Sequence, residues 1–380
     1  MADGFGTLTW YVREKEVSSY VGFMQAGNPW GQGRYKFVNG ITAEGNFENG
    51  LLNGQGKLIF GDERKLEGNF VNGQILNLDK EYLPQLQKIV VSKSDSTNMY
   101  VNDGNSNELF YYVLLPRGSV KGVLVLLAGT WDTAEYVLSN NKELAQLAFE
   151  NDIAVITPSI NQRLTLNSEV VDFLNNVFKD AITKFRLPKE KFVLGGFSMG
   201  GLFSLRYTEM AHENNAQTSI VPIAVYSVDG PTDLTHTYTE FLKATERNPN
   251  AVEPKYGINE LSSFIGGPPE KFNEKYVYYS SFSKSEANGG NARHLKNVPV
   301  RIYNDVDVEW WLTNRGADLY DMNALDQSAM INFLRKQGNK NAEFINAFGK
   351  GYRLEGNRHP HSWSIVDAGE CLNWIKRCLQ

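Results

Sequence analysis

A serine set between glycines offers the first chemistry. Residues 191–201 read KFVLGGFSMGG, an apolar run ending in Gly196-Phe197-Ser198-Met199-Gly200. The pattern predicts a buried strand that turns sharply into a helix, with Ser198 at the bend. Its G-x-S-x-G spacing has a steric cause: the serine backbone is strained, and the positions two before and two after must lack bulk for strand and helix to approach. A serine pushed out of such a turn can attack an acyl carbon, provided that a base takes its proton. The chain has five histidines, His212, His236, His294, His359 and His361. His361 is preferred as the base. It lies in Gly356-Asn357-Arg358-His359-Pro360-His361-Ser362-Trp363, a loop between a strand-like segment (342–348) and a final amphipathic helix (364–379). His359 precedes a proline, which restricts its backbone and suits it to shaping the loop.

The base needs a carboxylate to orient it. Asn297-Val298-Pro299-Val300-Arg301-Ile302-Tyr303 reads as the strand before that loop and runs into Asn304-Asp305-Val306-Asp307-Val308-Glu309. Asp307 is the preferred acid, at a distance from the strand start that suits the following loop. Asp305 and Glu309 share its side of a period-two extended chain and stay open as alternatives. So does Asp229, at the end of the preceding strand in Ser227-Val228-Asp229-Gly230.

The elements that would position these groups alternate. Strands are predicted at 120–127, 153–158, 191–195, 219–228 and 298–303, and helices at 168–185 and 199–211. Residues 100–101 and 109–115 are predicted to add antiparallel strands at the start. Alternation of this kind argues a mostly parallel sheet covered by helices on both faces. With the serine elbow, residues 85–380 resemble the α/β-hydrolase fold in its serine esterase and peptidase branch. The resemblance implies a triad of Ser198, His361 and Asp307 in the order nucleophile, acid, histidine. It also implies an oxyanion hole made by the Met199 amide and by that of Thr130 or Trp131, in Ala128-Gly129-Thr130-Trp131, where relatives often carry His-Gly. The nearly seventy residues from 231 to 297 are predicted to form a lid rich in aromatic side chains. These rings either line a cleft or form the lid's own core. Trp310 and Trp311 are candidates for touching substrate.

Residues 1–76 differ in kind. Gly22, Gly45 and Gly68 are spaced by 23, as are Gly27, Gly50 and Gly73. A fixed period means stacked supersecondary units. Short alternating segments separated by Asn-Gly predict β-hairpins. The pattern resembles MORN repeats, which implies a small all-β array and, through it, a protein partner or self-association. Residues 77–84 are the predicted linker.

Composition bounds the rest. With 380 residues, 42% hydrophobic, the chain can bury one large core and a small appended domain. A net charge of -5 argues against nucleic acid as the main partner. No apolar run is long enough to cross a bilayer and no leader pattern opens the chain. Cys371 and Cys378 sit seven apart on the last helix, too far for an intrahelical disulfide. The expectation is a cytoplasmic serine hydrolase, most of all a carboxylic-ester hydrolase, with peptidase or thioesterase as alternatives. It needs no metal and no cofactor. A non-catalytic scaffold that recruits partners through the repeats is the reading from another class.

Overall fold

The computed structural model describes residues 2–95, 97–101 and 108–380. Two sheets organise it. The first is a seven-stranded antiparallel meander: β1 (Gly4–Val12), β2 (Lys15–Gln25), β3 (Asn28–Lys36), β4 (Thr42–Glu48), β5 (Leu51–Ile59), β6 (Lys65–Val71) and β7 (Gln74–Ile75), paired in chain order. The turns at Ala26-Gly27, Asn49-Gly50 and Asn72-Gly73 have positive φ at both residues, the backbone that a two-residue hairpin loop needs. Every 23-residue unit thus begins a hairpin with the same turn.

The other repeating glycines meet across the sheet. Gly6 pairs with Gly22, Gly22 with Gly33, Gly33 with Gly45, Gly45 with Gly56 and Gly56 with Gly68. The row leaves a track without side chains, and larger residues fill it. A Cβ at Gly33 would come within 2.2 Å of Tyr20 Oη, and one at Gly56 within 3.0 Å of Leu52. Tyr20, Met24, Phe47, Leu52, Phe70 and Ile75 form the small core that results.

The second sheet has eight strands: β8 (Leu86–Ser92), β9 (Leu109–Leu114), β10 (Gly122–Leu127), β11 (Ile153–Pro158), β12 (Phe192–Phe197), β13 (Ala224–Val228), β14 (Val300–Asn304) and β15 (Ala342–Asn346). Their spatial order is β15-β14-β13-β12-β10-β11-β9-β8, parallel from β11 to β15, with β9 and β8 antiparallel. The first antiparallel strand is therefore at Leu86–Ser92 and not at 100–101. The strands β9 to β14 are buried along their whole length, as a sheet covered on both faces requires. The covering helices are α1 (Ala134–Asn140), α2 (Lys142–Glu150), α3 (Ser168–Phe185), α4 (Met199–Glu213), α5 (Leu234–Arg247), α6 (Val252–Ile265), α7 (Pro269–Tyr279), α8 (Val308–Arg315), α9 (Ala324–Lys336) and α10 (Ala368–Leu379).

The segment expected to be a lid forms α5, α6 and α7, and some of its aromatic residues join the main core, where a core of the lid's own was foreseen. Tyr238, Tyr276 and Phe282 are buried in the main core, whereas Phe241 and Tyr256 face a cavity above the sheet. No described helix is long and apolar enough to cross a membrane.

The two sheets are joined through side chains. Tyr136 of α1 and Leu354, from the loop after β15, pack against the core of the first sheet. Arg64 Nη1 donates to the Glu355 carbonyl at 3.2 Å. The predicted linker is itself packed: Leu76 and Leu78 are buried in the main core, Asn77 N donates to Ser139 Oγ at 2.8 Å, and Asp79 pairs with Lys142 at 2.5 Å. A chain beginning at residue 85 would lose Leu76 and Leu78 and expose Tyr136 and Leu354, each contributing about 1.5–3 kcal/mol when fully buried. Its melting temperature is expected to fall by roughly 10 °C or more. Thermal unfolding followed by circular dichroism checks this, and a change of a degree or two would show the sheet to be a mere appendage.

Candidate active site

Strand β12 lies in the middle of the second sheet between β10 and β13, and Ser198 follows it directly. Its φ of 53° and ψ of −124° are the strained values that the glycine spacing predicted. The steric reason is visible at both flanks. A Cβ on Gly196 would lie 2.1 Å from the Gly200 carbonyl oxygen, and one on Gly200 would lie 2.2 Å from that of Leu127. Strand, turn and helix therefore touch through bare backbone. Ser198 N donates to Val228 O at 3.0 Å, which ties the bend to the end of β13.

His361 reaches the same place on the loop after β15. Its imidazole packs on Phe197, the residue before the serine, with ring centroids 4.4 Å apart. The loop is held by Asp305, fully buried, which accepts from Gly349 N at 2.9 Å, from Gly351 N at 2.8 Å and from Arg358 Nη1 at 2.9 Å. The other histidines lie elsewhere. His212 Nε2 meets the Pro222 carbonyl, His236 pairs with Asp326, and His294 approaches Glu213.

The acid is not where the sequence argument preferred it. His361 Nδ1 lies 2.6 Å from Asp229 Oδ2, so the Nδ1 proton is donated to that carboxylate and Nε2 is left as the open nitrogen. Asp229 follows β13, is 4% exposed and has a left-handed backbone, φ 47°, which turns its side chain toward the histidine loop. Its second oxygen, Oδ1, accepts from Asn304 Nδ2 at 2.6 Å, Asn323 Nδ2 at 3.2 Å and Gln327 Nε2 at 3.4 Å. Asp307 instead caps α8, accepting from Trp310 N at 3.0 Å, and takes Arg358 Nη2 at 2.6 Å. Asp305 is occupied by the loop amides, and Glu309 stands exposed in the first turn of α8. The carboxylate that meets His361 is thus Asp229, one of the alternatives, and not the preferred Asp307.

Of the two amides expected as a second oxyanion donor, that of Trp131 donates to Asn161 O at 2.9 Å and is therefore engaged. Thr130 N has no protein acceptor among the described residues, and Met199, as the first residue of α4, presents an amide without an intrahelical acceptor. Both residues line the cavity with Ser198.

That cavity, of about 950 Å³, brings together Ser198, His361, Asp229, Met199, Thr130 and Trp131. Helices α5, α6 and α8 wall it with Phe241, Tyr256 and Trp311. Trp311 is placed as expected. Trp310 is not among the lining residues, since it packs on His359 at a centroid distance of 4.7 Å.

Two lining residues, Asp132 and Arg353, escaped the sequence reading of the site, and a third, His359, was read only as shaping the loop. His359 sits against both tryptophans, and burial, with Arg353, His361 and Arg315 nearby, holds its imidazole well below the usual histidine range. It is therefore neutral at pH 7. Asp132 lies two residues after Thr130, and burial pushes its carboxyl up to about 6 against the opposing pull of Arg353 and His361. Arg353 lies over the Phe197 ring at 5.6 Å. None of the three belongs to a motif, so residue spacing carried no signal for them. Among the described residues no group of three or more His, Cys, Asp or Glu side chains is placed to hold a metal ion.

Comparison with known proteins bears on both halves. Residues 20–42 and 44–63 match the MORN repeat model. A puromycin-hydrolysing peptidase of Mycobacterium tuberculosis superposes with a TM-score of 0.50 at 14% identity, over 89% of this chain and 46% of the peptidase. The C-terminal domain has the α/β-hydrolase fold. Fungal esterases from Rhizomucor miehei (TM-score 0.48, 11% identity, 77% of this chain and 84% of theirs) and the S-formylglutathione hydrolase of Staphylococcus aureus (0.45, 14%, 78% and 99%) are similar in outline. No curated protein matches the sequence. In this α/β-hydrolase domain the Ser198 turn follows β12, the Asp229 turn follows β13, and the His361 loop follows β15. The MORN sheet packs on the loop that leads to the histidine.

Proposed function

We propose that the protein is a serine hydrolase that cleaves an acyl bond, a carboxylic ester before others, through Ser198, His361 and Asp229. The observation that carries this reading is the contact of His361 Nδ1 with Asp229, which leaves Nε2 as the proton acceptor in a cavity that also holds the strained serine. Ser198 Oγ attacks the acyl carbon while His361 Nε2 takes its proton. Asp229 fixes the tautomer and stabilises the imidazolium that forms. The amides of Met199 and Thr130 receive the negative oxygen of the tetrahedral intermediate. Collapse of that intermediate expels the alkoxide, which takes the proton back from His361, and water repeats the sequence on the acyl-enzyme.

The ester is preferred to a peptide on the shape of the site. The cavity walls are helices and loops, and none of the lining residues lies on an edge strand, so an extended peptide finds no strand to pair with. The same triad would serve a thioester. The MORN sheet, in this reading, steadies one wall of the site, and a protein partner or a second copy on its outer face is a further proposal.

The test is covalent labelling with a fluorophosphonate, read by intact mass. One adduct on the wild type and none on Ser198→Ala is the expected result. No adduct on either, together with a partner recovered on the repeats alone, would favour the scaffold reading.

A further inference from the structure

We propose that the acyl substrate carries a negatively charged group, a carboxylate on the acyl chain, which Arg353 binds beside the nucleophile with Arg315 contributing from the cavity mouth. This rests on the hydrolase reading and adds the substrate class.

On the cavity wall Asp229 is matched by His361 at 2.6 Å, Glu240 by Lys243 at 2.7 Å, and Asp321 by Lys243 at 2.9 Å and by Arg247. Two lining arginines are left over. Among the described residues neither Arg353 nor Arg315 has a carboxylate within 4 Å. Arg353 acts electrostatically on Asp132, whose Oδ2 is sealed from solvent and makes no ion pair with it. Glu253 stands exposed at the mouth. A guanidinium is always charged and presents a planar fork of donors that fits a carboxylate, so an unmatched one in a cavity favours an anionic ligand.

Position supports the same reading. The guanidinium of Arg353 lies over Phe197, the neighbour of Ser198 in the chain, and all three residues line one cavity. His359, neutral and packed between Trp310 and Trp311, adds no charge to the wall between the two arginines. The loop is also rigidly presented. Leu354 is anchored in the core of the MORN sheet, Arg64 Nη1 holds the Glu355 carbonyl at 3.2 Å, and Arg353 N donates to Asn357 O at 2.8 Å. A cation held on both sides loses little freedom when it binds.

The experiment compares the p-nitrophenyl monoester of glutarate, which carries a free carboxylate, with the p-nitrophenyl ester of monomethyl glutarate, which is neutral. Wild-type kcat/KM is expected to favour the anionic ester about 30-fold, with the preference in KM and weakened by salt. Arg353→Gln should bring the ratio to about one, Arg353→Lys should keep part of it, and Arg315→Gln should lower it by about 3-fold. Inhibition of neutral-ester turnover by free glutarate, but not by glutaramide, gives a second reading on the wild type that does not depend on any variant folding. A wild-type ratio at or below one, an unchanged ratio in folded Arg353→Gln, or equal inhibition by glutarate and glutaramide would overturn the proposal while Ser198 still reacts with fluorophosphonate. Failure of Ser198 to react, with no ester turned over, would overturn the hydrolase reading as well.

Discussion

Ser198→Ala is expected to lower kcat on an activated ester by about 10⁶-fold and to move the melting temperature by no more than a degree or two. The size follows from what is removed. Without the hydroxyl there is no acyl-enzyme, and the amides of Met199 and Thr130 with the cavity can only polarise a bound ester toward solvent water. Stability is preserved for a local reason. The strain at φ 53° is borne by alanine as by serine, the backbone bond from Ser198 N to Val228 O stays, and the lost oxygen has no hydrogen-bond partner among the described residues. Steady-state kinetics on p-nitrophenyl acetate with a melting curve on the same sample checks both halves, and activity within a hundredfold of wild type would remove Ser198 from the mechanism.

Asp229→Asn is expected to cost about 10⁴-fold in kcat, whereas Asp307→Asn should cost less than 10-fold. The direction is dictated by the three amide groups around Asp229. Asn304 Nδ2, Asn323 Nδ2 and Gln327 Nε2 all donate toward Oδ1, so an introduced carboxamide would set its oxygen there and turn its NH₂ toward His361. Nδ1 would then have to accept, and the proton would move to Nε2, the nitrogen that must receive the serine proton. At Asp307 the same change weakens a helix cap and one ion pair, worth about 1 kcal/mol. Arg358 keeps its contacts with Asp305 and the Gly351 carbonyl. A larger loss at Asp307 than at Asp229 would return the acid to the position that the sequence favoured.

The contrast between these two aspartates shows what could be read in advance. The runs that became β10, β11 and β12 are apolar but for Thr157, and the elbow glycines are required by contacts between backbones, so strand, turn and helix were legible from composition alone. The repeats were legible because a 23-residue period leaves few other structures open. The acid was not, because Asp229 and Asp305 both end parallel strands that lie side by side, and either could face a histidine loop from above. What separates them is a single positive φ at Asp229 and the claim of Gly349, Gly351 and Arg358 on Asp305. Both are tertiary facts. Arg353 was hidden for a similar reason: its environment is assembled from β12, the loop after β10 and the MORN sheet, none of which adjoins it in the chain.

The line of glycines from Gly6 to Gly68 bears on how such an array can change its length. Register here is written inside the sheet, at the point where each strand crosses the groove occupied by Tyr20, Met24 and Leu52, so the hairpin turns need not encode it. Whole 23-residue units can be gained or lost on the β1 side, and each newcomer is indexed by the same notch. A slip of one or two residues drives a side chain into Met24, Tyr20, Leu52 or Asn77, according to the strand, and is rejected at once. The array is a ratchet with one tooth per strand, able to lengthen stepwise while the end that holds Leu354 and the active-site loop stays still.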